Sequence, residues 1–138
     1  MKPLLVLCVA ILWFAGCTHR PVPETTATAS SIPLEGVTWQ LMRFGDHALK
    51  VPRKAWIKLD RGRYTGFAGC NGLGGTYTRE GDRIAFSMDP HTMMACPDMK
   101  GETEFRRRLS KVDSYGMNGG MLVLKSGDRP VLEFMAKE

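Results

Sequence analysis

No apolar stretch of this chain approaches the roughly 20 residues that a helix needs to cross a bilayer. The longest, Leu4 to Phe14, is eleven residues. Its cysteines are sparse and scattered, at Cys8, Cys17, Cys70 and Cys96. That spacing contains neither the C-x-x-C of a redox pair nor the close ligand pairs of structural zinc. Glycine is plentiful at 15 residues, yet no glycine run opens a helix with Lys-Ser or Lys-Thr behind it, which excludes a phosphate loop. Histidine occurs three times, and neither His47 nor His91 has a nucleophile partner in any known arrangement. The excess of 19 basic over 14 acidic side chains is too small and dispersed for a nucleic-acid binder. It suits a protein that lingers near anionic head groups or phosphorylated surface sugars. The expected function is non-enzymatic, with no catalytic residue, no cofactor and no dedicated metal site.

The first residues describe export. Met1-Lys2 is a short positive start, and the apolar run after it is too short for a membrane anchor but right for a signal peptide. Ala15-Gly16 then precede Cys17. Phe14-Ala15-Gly16-Cys17 resembles the lipobox of bacterial lipoproteins, with Phe14 departing from the usual leucine. The resemblance implies a lipid on Cys17 and cleavage after Gly16; a plain signal peptide with Cys17 as a spare thiol is the alternative. Multiple acyl chains make attachment effectively permanent. Thr18 is not the aspartate that typically retains lipoproteins in the inner membrane, so the expected site is the outer membrane, facing the periplasm. Thr18 to Ser31, rich in Pro, Thr, Ala and Ser, reads as a tether. The expected division is therefore 1–16 signal peptide, 17–31 lipidated cysteine and tether, and 32–138 one domain.

With Cys8 in the discarded run and Cys17 at the lipid site, Cys70 and Cys96 remain as an even pair in an oxidising compartment. A structural disulfide is the leading reading, ahead of two buried free thiols. Period-two alternation predicts strands at Val37–Phe44, Ala55–Leu59, Tyr64–Ala68, Thr76–Thr78, Arg83–Ser87, Ser114–Met117, Met121–Lys125 and Val131–Met135. Phe105, Leu109 and Val112 recur at helical spacing between Pro97 and about Asp113. The fold class is α+β, mainly β: an antiparallel, barrel-like curled sheet of about eight short strands with one helix.

The order Gly66-Phe67-Ala68-Gly69-Cys70-Asn71, then Thr92-Met93-Met94-Ala95-Cys96, then Glu104-Phe105 and Leu109, closely resembles the META/HslJ family. Leu34-Glu35-Gly36-Val37-Thr38-Trp39 upstream and Met121-Leu122-Val123-Leu124 downstream extend the likeness from about Leu34 to Met135. The resemblance implies a β-barrel-like fold with one helix, often carried on a lipoprotein and associated with envelope stress and antibiotic tolerance. It supplies no catalytic residues. The fold is also similar to lipid-binding pilotins of secretion systems, an analogy at fold level only.

Three sets of residues are candidates for binding. Trp39, Trp56, Phe67, Phe86 and Met93 would line a hollow barrel that holds an amphiphile; their ordinary role is core. Arg106, Arg107, Arg108 and Lys111 would contact lipid phosphates, or else form a solvated helix face. Met88, His91, Met93, Met94, Cys96 and Met99 include soft ligands suited to copper(I), a remote alternative that a disulfide at Cys96 weakens. Asn71 reads as a turn former or cap. The leading expectation is a membrane-anchored module that binds an amphiphile or an envelope protein. The alternative is a protein-binding or inhibitor-like module with a filled barrel and an open sheet edge.

Overall fold

The computed structural model describes residues 32–45, 50–52, 54–90 and 94–137. The expected signal peptide, Cys17 and the expected tether lie outside them. Eight strands follow the chain in order: β1 Thr38–Arg43, β2 Trp56–Asp60, β3 Arg63–Phe67, β4 Gly72–Glu80, β5 Arg83–Met88, β6 Ser114–Asn118, β7 Met121–Ser126 and β8 Arg129–Lys137, with helix α1 Lys100–Leu109 between β5 and β6. Each strand pairs antiparallel with the next, and β8 returns to β1. The weak joint is β5–β6. It holds a single register pair, Arg83 with Ser114, flanked by hydrogen bonds from the Ile84 N–H to the Asp113 carbonyl (3.1 Å) and from the Tyr115 N–H to the Asp82 carbonyl (2.9 Å).

Alternation decides what the sheet encloses. Trp39, Leu41, Ile57, Leu59, Tyr64, Leu73, Tyr77, Ile84, Leu122, Leu124, Leu132 and Phe134 form one buried cluster. Each fully buried large apolar side chain contributes about 1.5–3 kcal/mol over leaving it in water. Both ends of this interior are stopped. Leu34, just before β1, is buried and accepts the Trp39 indole N–H at 2.9 Å through its carbonyl. At the opposite end, α1 presents Phe105 and Leu109, both fully buried, with the Phe105 ring 6.0 Å from that of Phe134.

Two elements differ from the sequence expectation. The strand expected to start at Thr76 begins at Gly72, so most of the glycine run is sheet rather than loop. The reason is a close approach: a Cβ at Gly75 would collide with the Ser87 carbonyl oxygen and stand 2.9 Å from Tyr64 Cε1. The Tyr64 ring occupies the space where a side chain on β4 would sit. The helix stops at Leu109 instead of near Asp113, and a turn closed by the Val112 N–H on the Leu109 carbonyl (3.3 Å) still delivers Val112 to the core.

Tyr64 itself pays a cost, because its buried hydroxyl has no hydrogen-bond partner among the described residues. Burial, and then the nearby Asp89, push it up to about 12. Tyr64→Phe should therefore leave stability unchanged or raise it, since it removes an unsatisfied polar atom. Gly75→Ala should lower stability by about 1–3 kcal/mol through overpacking. Urea denaturation of both variants checks the pair.

Candidate functional site

Glu102, in the first turn of α1, is 3% exposed and receives four donors. Its Oε2 accepts the backbone N–H groups of Cys70 (3.2 Å) and Asn71 (2.8 Å). Its Oε1 accepts the Asn71 side-chain amide (2.8 Å) and Arg106 Nε (3.2 Å). Asn71, equally buried, also grips the segment before Cys96: its Nδ2 donates to the Met94 carbonyl (3.2 Å) while the Met94 N–H donates to its Oδ1 (2.7 Å). One residue before Asn71 and two after Met94, the disulfide Cys70–Cys96 joins the same two segments covalently, with Cα atoms 6.3 Å apart. Gly69 makes the turn possible, with φ +115° and the Pro52 ring where a Cβ would stand.

Asn71 sits in the bend between β3 and β4, where its carbonyl accepts the Ala68 N–H at 2.9 Å, and it does more than form a turn or cap. Its amide is a tertiary clasp between the β3–β4 connection, the segment before Cys96 and α1. Glu102 carried no sequence signal beyond being an acid in a helix's first turn. Burial alone would raise its pKa, but the bonds from the Asn71 backbone and amide, and from Arg106, outweigh burial and leave it lowered.

The arginine cluster divides three ways instead of forming one solvated face. Arg106 turns to the Gly72 carbonyl (2.9 Å) as well as to Glu102. Arg107 stays exposed and pairs with Glu104. Arg108 is buried, paired with Glu104 and donating through Nη1 to the carbonyls of Phe44 (3.3 Å) and Val131 (3.2 Å), its guanidinium 5.5 Å from the Phe44 ring centroid. Hydrogen bonding from Arg107, and then from Arg108, overrides burial and takes the Glu104 carboxyl down to about 2. Lys111 is exposed. A cleft of about 280 Å³ collects Arg107, Arg108 and Lys111 with Ser126, Arg129, Pro130 and Val131. Arg61 and Arg63 line a separate cleft, and Arg79 and Arg83 another, so they do not extend this one.

The aromatic candidates are not brought together. Trp39 is sealed in the core. Phe86 packs against it, its ring 5.3 Å from that of Tyr64 and 6.1 Å from that of Tyr77. Trp56 and Phe67 face each other across β2–β3, half-buried and on the side of Lys58 and Asp60, away from the interior. Met93 and Cys17 lie outside the described residues. Of the copper-type segment, His91 and Met93 are likewise outside, Cys96 is consumed by the disulfide, and Met94 is 60% exposed. No group of three or more His, Cys, Asp or Glu suited to a metal occurs among the described residues.

These features define a small antiparallel β domain, barrel-like, filled, and clasped by one helix and one disulfide. The model of the META domain matches residues 32–138, and the chain belongs to that family. Its fold is similar to a protein from Burkholderia xenovorans solved by NMR, at 20% identity and a TM-score of 0.61, covering 84% of this chain and 99% of that one. It is similar also to a DUF4847 family protein from Bacteroides vulgatus ATCC 8482, at 15% identity and a TM-score of 0.59, covering 74% and 93%. No curated protein matches the chain.

Asn71→Ala should cost about 1–3 kcal/mol, because it removes one of the four donors to Glu102 and leaves the Met94 N–H and carbonyl without their side-chain partner. Reducing Cys70–Cys96, 26 residues apart, should cost roughly 3.5 kcal/mol on the chain-entropy account. The acid limb of the stability curve follows from Glu102 and Glu104. Both are lowered in the fold, so the unfolded chain binds protons more readily. Their contribution is complete above about pH 5 and is lost as pH falls from about 4.5 toward 2. Glu104→Gln should flatten that limb in urea titrations between pH 2 and 6.

Proposed function

We propose that this chain is a lipid-anchored, non-enzymatic module of the bacterial envelope, held at the outer membrane through Cys17, that binds a protein partner with its outer surface. The observation that carries this reading is the filled interior. Trp39, the aromatic best placed to line a ligand cavity, is fully buried and hydrogen-bonded to the Leu34 carbonyl, and both ends of the barrel are stopped by side chains. An amphiphile inside would have to displace that core, at several kcal/mol for each large side chain expelled.

A non-catalytic role is supported by how the buried acids are used. Glu102 has four donors, and Glu133 is paired with Arg43. Both are occupied in holding the fold. The surface favoured for a partner is the β5–β6 joint. Beyond Tyr115, β6 has no strand partner on that side among the described residues, and Met117 there is 40% exposed. An unpaired edge with an apolar side chain is suited to strand addition, in which backbone hydrogen bonds supply affinity and side-chain pockets supply selectivity. A role in envelope stress or antibiotic tolerance, as the family likeness implies, fits a surface module of this kind.

Two measurements test the reading. The denatured, unreduced protein from native membranes should carry acyl mass at Cys17 and be two hydrogens lighter, and Cys17→Ser should move it to the soluble periplasmic fraction. A photo-crosslinking residue at Met117 should give one discrete protein adduct in cells, while the same residue at Thr65 on β3 gives none. Adducts to lipid alone, or equal adducts from both positions, would overturn the protein-partner reading.

A further inference from the structure

We propose that the cleft between the C-terminal turn of α1 and the β7–β8 hairpin is a binding site for a phosphate monoester dianion. Arg107, Arg108, Lys111 and Arg129 line it, together with Ser126, and no carboxylate is among the lining residues. Four like charges around about 280 Å³ repel one another, and the helix C-terminus accounts for only part of the gathering. Arg129 comes from β8, far along the chain.

Glu104 stands behind the cleft and engages Arg107 and Arg108. Lys111 and Arg129 have no ion-pair partner among the described residues. Asp113, which accepts the Gly127 N–H at 2.7 Å, and Asp128 also belong to this neighbourhood but do not line the cleft. A ligand there meets the two cations without an ion-pair partner among the described residues, which matches the charge of a dianion better than that of a phosphodiester or other monoanion. Arg108 is pre-positioned by its bonds to Glu104 and to the Phe44 and Val131 carbonyls, so little entropy is lost when it meets a ligand. Ser126 offers a hydroxyl, and a guanidinium can match two phosphate oxygens at once. The volume approaches the lower end of small-molecule sites at about 300 Å³, leaving room for the first carbons or sugar of an ester. This inference rests on the cleft alone and stands or falls apart from the partner at Met117.

The test uses the full chain in uncharged detergent, titrated with glycerol phosphate, inorganic phosphate and sulfate, and read by amide NMR. Phosphatidylcholine vesicles carrying either phosphatidic acid, a monoester, or phosphatidylglycerol, a diester, form a second arm. Monoester binding should shift the amides of Lys111, Ser126 and Arg129, exceed binding of the diester, be competed by sulfate, which is also a dianion, and fall about tenfold or more in Lys111→Ala/Arg129→Ala. Lys111→Glu alone should reproduce most of that loss. Arg79→Ala/Arg83→Ala, which removes the same charge elsewhere, should bind as the parent does. Glycerol phosphate binding as tightly as phosphatidic acid vesicles identifies a soluble ester; a strong preference for the vesicles identifies a lipid head group. The proposal is overturned if neither monoester binds, if the diester binds equally well, or if the Arg79/Arg83 pair matters as much as Lys111/Arg129.

Discussion

The carboxylate of Glu102 joins the parts of this domain that the sheet alone would leave separate. A buried, unpaired carboxylate costs several kcal/mol, so its position between α1 and the β3–β4 connection is stable only because the donors from Cys70, Asn71 and Arg106 all arrive. That requirement fixes the connection as firmly as the connection fixes the helix. Asn71 passes the constraint on to Met94, and the adjacent disulfide makes the same junction permanent. Once α1 is held there, Phe105 and Leu109 close the interior, and Arg108 reaches the carbonyls of Phe44 and Val131.

The proposed biology follows from what this arrangement leaves outside. A barrel-like sheet with its interior packed and its ends stopped has its outer surface left for recognition. Two parts of that surface carry uncompensated chemistry. One is the β6 edge beside Met117, with backbone groups that lack a strand partner among the described residues. The other is the cleft at Lys111 and Arg129, with charge that Glu104 only partly balances. A tether from Cys17 would keep both close to a membrane rich in phosphate and in other anchored proteins.

Much of the fold was legible from local pattern. Alternation marked out the eight strands, the spacing of Phe105 and Leu109 marked the helix, and the even pair Cys70 and Cys96 pointed to one pairing. What stayed hidden depends on contacts between distant residues. Gly72 to Gly75 resemble a loop until Tyr64, on the neighbouring strand, is seen to supply the missing bulk. Arg106, Arg107 and Arg108 look alike in sequence, yet helical spacing aims them at Gly72, at solvent and at Phe44. Arg129 gave no hint that it would meet Lys111, and Glu102 none that four donors would converge on it. Trp56 and Phe67 do not join Trp39, because alternation sends them outward while Trp39 turns in.

Native-state hydrogen exchange on the Cys70 and Asn71 amides tests the central claim most directly. These protons sit in a connection between strands, where exchange ordinarily proceeds through local opening. If the Glu102 clasp governs the domain, both will exchange only through global unfolding, as slowly as the amide of Leu124 in the core, and Glu102→Gln will release them together with the amide of Met94. Fast exchange at Cys70 and Asn71 in the unaltered protein, with Leu124 still protected, would contradict it.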